Sequence, residues 1–202
     1  MCELVLASKS PRRRELLKLL GHQYKIEVSQ VEEDRINGES PADHVTRLSG
    51  LKAFDVGRQK KNSIVIGADT VVVLDGEIIG KPHSPDKAVS MLMKLQGRTH
   101  TVYTGYALYD SRSGRNMSDY ESTDVTMRRI TEKYARMYVS TGEPLDKAGS
   151  YGIQGYGSAL VTSIQGCYFT VMGLPLAKLM ESLYSFTDGQ FGYFGTGTEN
   201  AL

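Results

Sequence analysis

Strand-like and helix-like stretches alternate along almost the whole of this 202-residue chain, and that alternation argues for an α/β fold. Residues 4–7 read as a buried first strand, 11–20 as a helix that Gly21 stops, and 24–28 as a second strand. Ser40-Pro41-Ala42-Asp43 combines an N-cap, a first-position proline and an acidic third residue, so a helix should run from there to about Gly57. Residues 63–74 are almost continuously apolar; Asp75-Gly76 then signals a hairpin, and 77–80 return as its partner. A helix is expected over 85–95, with Ala88, Met91, Leu92 and Leu95 on one face. Strands over 99–109 and 117–127 flank a turn at 111–114. The helix over 132–140 should carry Tyr134, Met137 and Tyr138 inward. Residues 159–164 and 169–172 read as strands around Gln165-Gly166, and 175–186 as the closing helix. The expectation is a single domain over 1–186 and a flexible tail over 187–202, which is rich in Gly, Thr and Asn and has no periodicity.

Composition narrows the function classes. The chain is 40% apolar and 23% charged, ordinary for a globular protein, and its net charge of +1 argues against nucleic acid as the main partner. Cys2 and Cys167 are too few for a disulfide framework. No apolar segment approaches roughly 20 residues, so no membrane span is expected. The chain enters a strand too directly for a signal peptide, and a cytoplasmic location is expected.

Several residues break the local pattern. In Ser8-Lys9-Ser10-Pro11-Arg12-Arg13-Arg14-Glu15, Ser10 is a good N-cap and Pro11 suits the first helical position. Arg12 and Arg13 then sit in the opening turn, against the helix dipole. That makes sense mainly if a strong anion arrives, the alternative being a solvated helix start. Asp69 lies in Ile64-Val65-Ile66-Gly67-Ala68-Asp69-Thr70-Val71-Val72-Val73, where a carboxylate is costly unless a cation or donors meet it. A turn cap is the other account of it. Gly67 and Ala68 leave room for close approach of a ligand or backbone.

Lys52 falls on the inward stripe of its helix with Val45, Leu48 and Val56, either snorkelling out or facing a cleft. Lys81, before Pro82, completes a cationic set from four elements, with Asp69 and the pair Glu32-Glu33 as the nearby acids. Such charges suit a polyphosphate with a divalent ion, and so nucleotide chemistry. There is no GxxxxGK[ST] loop, no HExxH and no GxSxG, and the four histidines show no metal-ligand spacing.

Longer motifs carry a resemblance. They are Leu6-Ala7-Ser8-Lys9-Ser10-Pro11-Arg12-Arg13, Arg47-Leu48 with Lys52-Ala53, Gly67-Ala68-Asp69-Thr70 and Lys81-Pro82. Further on come Gly142-Glu143-Pro144-Leu145-Asp146-Lys147-Ala148-Gly149, Tyr151-Gly152-Ile153-Gln154-Gly155 and Val171-Met172-Gly173-Leu174-Pro175. Over residues 3–186 the chain resembles the Maf family of nucleoside triphosphate pyrophosphatases. The resemblance implies an α/β fold of the Maf or ITPase-like kind: a long mixed sheet flanked by helices, with two lobes around a deep cleft. It implies hydrolysis of a nucleoside triphosphate to the monophosphate and pyrophosphate with a divalent cation, Mg2+ or Mn2+. Asp69 would be the general base or water positioner and, with Glu33, the metal ligand. Glu32 competes with Glu33 for that place by one residue. Ser8, Arg13, Lys52 and Lys81 would hold phosphate. Arg12, Thr70 and Gln154 match the family's dTTP/UTP subgroup at its three base-selecting positions. The implied partner is a small nucleotide, canonical or a modified pyrimidine, and a homodimer fits the family's habit. A rival reading drops catalysis and keeps a nucleotide-binding regulator of septum formation.

Overall fold

A computed structural model describes residues 2–195 of the chain. In order the elements are β1 (Glu3–Ala7), α1 (Pro11–Lys18), β2 (Lys25–Glu27), α2 (Pro41–Gly57), β3 (Ser63–Leu74), β4 (Glu77–Ile79), α3 (Pro85–Leu95), β5 (Thr99–Asp110), β6 (Asn116–Met127), α4 (Glu132–Val139), β7 (Val161–Gln165), α5 (Tyr168–Met172) and α6 (Leu176–Phe186). Short 3-10 turns at Glu143–Asp146, Ala148–Ser150 and Gly155–Leu160 link α4 to β7. The helix starts follow from local chemistry. The hydroxyls of Ser40, Ser84 and Thr131 accept the amides of Asp43, Lys87 and Tyr134 at 3.1, 3.2 and 3.3 Å, each from three residues on. Proline stands in the first turn of α1, α2 and α3, where its missing N–H costs nothing.

The strands form one seven-stranded sheet in the order β2-β1-β3-β5-β6-β7, with β4 paired to β3. It is mixed: β1 runs parallel to β2 and β3, while β4 on β3 and β7 on β6 are antiparallel. Asp75 and Gly76 both take positive φ, 52° and 81°, which a tight hairpin with right-handed strand twist requires.

The described chain forms two compact units. One takes in residues 2–69, Thr104–Glu121 and 173–195; the other holds Thr70–Tyr103 and Ser122–Met172. In the first unit Val5, Ala7 and Val65 of the sheet pack on Ala53 and Val56 of α2, with Ala107. α2 sits close to the sheet because two strand residues are glycine. A Cβ on Gly67 would lie 2.1 Å from the Ser49 carbonyl oxygen, and one on Gly105 2.3 Å from that of Val45. In the second unit Val72 and Leu74 pack with Ala88, Leu92 and Leu95 of α3 and with Ala135, Tyr138 and Val139 of α4.

Three expectations are corrected. α4 turns Ala135, Tyr138 and Val139 inward, leaving Tyr134 42% and Met137 60% exposed. The small Ala135 lets α4 approach its neighbours, and the larger side chains take the outer face. Residues 155–160 form a 3-10 turn before β7, because Gly155 at φ 64° breaks the extended chain. Residues 168–172 are a one-turn helix, α5, held between Gly166 and Gly173, which take φ of 127° and 108°. Of the segment expected as a flexible tail, residues 187–195 meet the rest of their unit. The Gly195 amide donates to Leu20 at 2.8 Å, His22 bonds the Gly192 carbonyl at 2.9 Å, and Tyr193 stacks on Tyr184. Residues 196–202 lie outside the described residues.

Candidate active site

The parallel register pairs Ala7 with Gly67, so the turn that leaves β1 at Ser8 lies beside β3 as that strand continues to Asp69. Open α/β sheets gather ligands at the carboxyl ends of their strands. At this point Ser8 is buried, and its hydroxyl accepts the Ser10 amide at 3.2 Å and the Arg13 guanidinium at 3.4 Å. Arg13, in the first turn of α1, is also fixed by Nε donating to the Gly173 carbonyl at 2.8 Å. Burial lowers its pKa from the ordinary guanidinium value and Arg12 adds to that, while Asp69 and Glu33 pull the other way.

Lys52 reaches this end of β3 from α2. Its Nζ donates to Asp69 Oδ1 at 2.6 Å and lies 2.6 Å from Glu33 Oε1. The lysine and aspartate side chains are 10% and 9% exposed, the glutamate 45%. Lys52 therefore does not snorkel, and Asp69 is not a turn cap. Of the two loop acids it is Glu33 that meets Lys52. Gly67 explains the reach: the glycine draws the α2 backbone around Ser49 and Ala53 onto β3, and Lys52 rides between them. A buried charge pair of this kind is a weak source of net stability, so its presence points to chemistry.

Ser8, Arg13, Glu33, Lys52 and Asp69 thus come together within the first unit. Arg12 stands half-buried beside Arg13. Thr70, Lys81 and Gln154 belong to the second unit. Thr70 is half-buried next to Asp69 in the strand, and Lys81 is exposed after Gly80, whose carbonyl accepts the Gly149 amide at 3.0 Å. Gln154 is exposed in an extended backbone, φ −110° and ψ 172°.

Some contributors were not foreseen. Gly173 supplies the carbonyl that anchors Arg13, and Glu39 clamps Arg47 at 2.5 and 2.8 Å while accepting from His44 at 3.0 Å. A cavity of about 590 Å³ beside α2, lined by Leu51, Phe54, Tyr109 and Met117 among others, includes none of the five converging residues.

Among the described residues no three His, Cys, Asp or Glu side chains are grouped as an all-protein metal cage requires. Asp69 and Glu33 do place two hard carboxylates around one nitrogen. That donor set fits magnesium or manganese, which bind through one or two carboxylates and complete their shell with phosphate oxygens and water. No described helix is long and apolar enough to cross a membrane.

An α/β sheet that sets a lysine-bridged carboxylate pair beside an arginine-opened helix has the charges and hard oxygen donors that suit a phosphate-bearing substrate. Residues 3–186 match the model of the family described as Maf-like protein, and the chain belongs to that family. It is 47% identical over 186 residues to the dTTP/UTP pyrophosphatase of Pelotomaculum thermopropionicum, covering 92% of this chain and 97% of that protein. Proteins of the same description from Moorella thermoacetica and Bacillus pumilus are 48% and 46% identical over 186 residues, 92% of this chain in each case and 96% and 97% of theirs.

Proposed function

We propose that this protein hydrolyses the α–β phosphoanhydride of nucleoside triphosphates, dTTP and UTP first among them, giving the monophosphate and pyrophosphate. The observation that carries the proposal is the buried Lys52–Asp69 pair with Glu33 and Arg13 gathered around it. The substrate choice draws on the relatives' names and on Arg12, Thr70 and Gln154, the three positions at which the chain resembles the dTTP/UTP subgroup.

Asp69 acts as general base. Lys52 occupies Oδ1, which leaves Oδ2 to orient a water and take its proton as the oxygen attacks the α-phosphorus. The bond from that phosphorus to the bridging oxygen breaks, and its electrons leave with pyrophosphate. Arg13 and Lys52 offset the charge that builds on the departing group, and Lys81 is assigned to the same phosphate chain by resemblance. Ser8 holds the Arg13 guanidinium in place. A divalent cation held by Asp69 and Glu33 would supply Lewis-acid neutralisation of the phosphates when bound. The amide of Gln154 can both donate and accept toward a pyrimidine edge.

The test is a screen of the purified chain against canonical triphosphates and modified pyrimidines such as 5-methyl-UTP and pseudo-UTP, with and without divalent ions. Pyrophosphate and monophosphate should appear together, most rapidly from dTTP and UTP. Release of orthophosphate and diphosphate, or no turnover of any triphosphate, contradicts the proposal; the second outcome favours a nucleotide-binding regulator.

A further inference from the structure

Residues 152–157 of the second unit present Gln154, and this segment is tied at both ends to one pair of side chains. The Tyr138 hydroxyl, from α4, accepts the Gly152 amide at 3.1 Å and donates to Glu143 Oε1 at 2.7 Å. The same carboxylate accepts the Gly157 amide on Oε1 at 3.0 Å and the Tyr156 amide on Oε2 at 2.8 Å. The glycines show how tightly the backbone is drawn onto the pair. A Cβ on Gly155 would lie 2.5 Å from Glu143 Oε2, and one on Gly157 2.5 Å from the Tyr138 hydroxyl. Burial disfavours the Glu143 charge, but the donors Tyr138, Gly157 and Tyr156 outweigh it and hold the carboxyl below its ordinary value. Burial likewise raises the Tyr138 phenol, which stays a protonated donor.

We propose that Glu143 and Tyr138 are positioning residues for nucleotide selection: they fix the backbone on either side of Gln154 and so set base discrimination, with little part in bond cleavage. The inference rests on the reading of Gln154 as the base-reading residue. An amide discriminates bases only if its donor and acceptor are held in place, because a mobile one adapts to any edge. A carboxylate receiving three donors is a strong tether. An amide at position 143 would turn one acceptor into a donor facing a backbone N–H, breaking part of the clamp at nearly constant volume.

The experiment compares the wild type with Glu143→Gln and Tyr138→Phe. It reads kcat and KM on dTTP, UTP, dCTP and GTP, and amide hydrogen exchange of residues 152–157 without nucleotide. In Glu143→Gln, exchange at Tyr156 and Gly157 should quicken and the preference for dTTP over dCTP should fall about tenfold, mostly through KM. The kcat on dTTP should change far less. Tyr138→Phe keeps the buried ring and removes only the hydroxyl, so it carries the test if the first variant does not fold. An active variant with faster exchange but unchanged preference overturns the inference, and so does an equal loss of kcat on every substrate. A wild type that turns over no triphosphate instead overturns the reading on which the inference rests.

Discussion

Lys52 Nζ lies 2.6 Å from Asp69 Oδ1, and neither side chain is more than a tenth exposed. A lysine on the inward stripe of a helix ordinarily threads its head into water. Here the head meets a carboxylate inside a strand whose neighbours are nearly all buried. Each anomaly accounts for the other, and Gly67 sets the spacing that lets them meet.

That spacing makes Gly67→Ala a direct probe. The added methyl would sit 2.1 Å from the Ser49 carbonyl oxygen and 2.8 Å from the Ala53 nitrogen, both rigid helix backbone, so α2 must move outward. Overpacking of this kind costs about 1–3 kcal/mol. Urea unfolding should show that loss, and turnover should fall as Lys52 is displaced. An unchanged midpoint with full activity contradicts the account.

His100 provides a pH-dependent signal. It is 2% exposed, with one ring nitrogen 2.6 Å from the Tyr151 hydroxyl and Nδ1 buried without a hydrogen-bond partner among the described residues. Burial lowers its pKa from 6.5 to about 4, against a weaker opposing effect of Asp124. Between those values the unfolded chain takes up a proton that the folded chain refuses, so stability falls as pH drops from 6.5 toward 4. The shift corresponds to about 3 kcal/mol at most. Urea midpoints at pH 7 and 4.5 should differ accordingly, and His100→Gln should flatten the difference. Glu39 acts in a lower window. Its hydrogen bond from Arg47 is the main reason its pKa is about 2, so its stabilisation is lost only as pH falls from 4.5 toward 2.

What the sequence made legible was local. Ser-Pro pairs begin α1, α2 and α3 at the expected residues because a cap and a proline act within one turn. Asp69 and Lys52 stood out because each is a charge in an apolar pattern. Residues 168–172 did not read as a helix, since so short an apolar run has no period to distinguish helix from strand. The Arg13 anchor could not be seen either: it is a backbone carbonyl at Gly173, 160 residues away. Glu143 lay inside a matching motif, but its partners are backbone amides, which a sequence does not display.

Removing divalent ions should stop turnover, and magnesium or manganese should restore it. Glu33→Gln should then need about tenfold more metal for half-maximal rate, since one of the two carboxylates proposed to hold it is lost. An enzyme fully active in chelator would remove the metal from the proposed chemistry.

Arg13→Lys keeps the charge but cannot reproduce the fork that reaches both Gly173 and Ser8. Loss of one charge-assisted hydrogen bond, roughly 1.5 kcal/mol, should raise KM for dTTP about tenfold. A KM unchanged from the wild type would separate Arg13 from phosphate binding.

The central claim is that Asp69 is the catalytic carboxylate of a nucleoside triphosphate pyrophosphatase, and pyrophosphate release from dTTP by Asp69→Asn tests it most directly. The variant keeps the shape of the strand and leaves Glu33 to pair with Lys52, so circular dichroism should show an intact fold. With the base gone, kcat should fall about a thousandfold. A folded variant with near-normal pyrophosphate release would contradict the account.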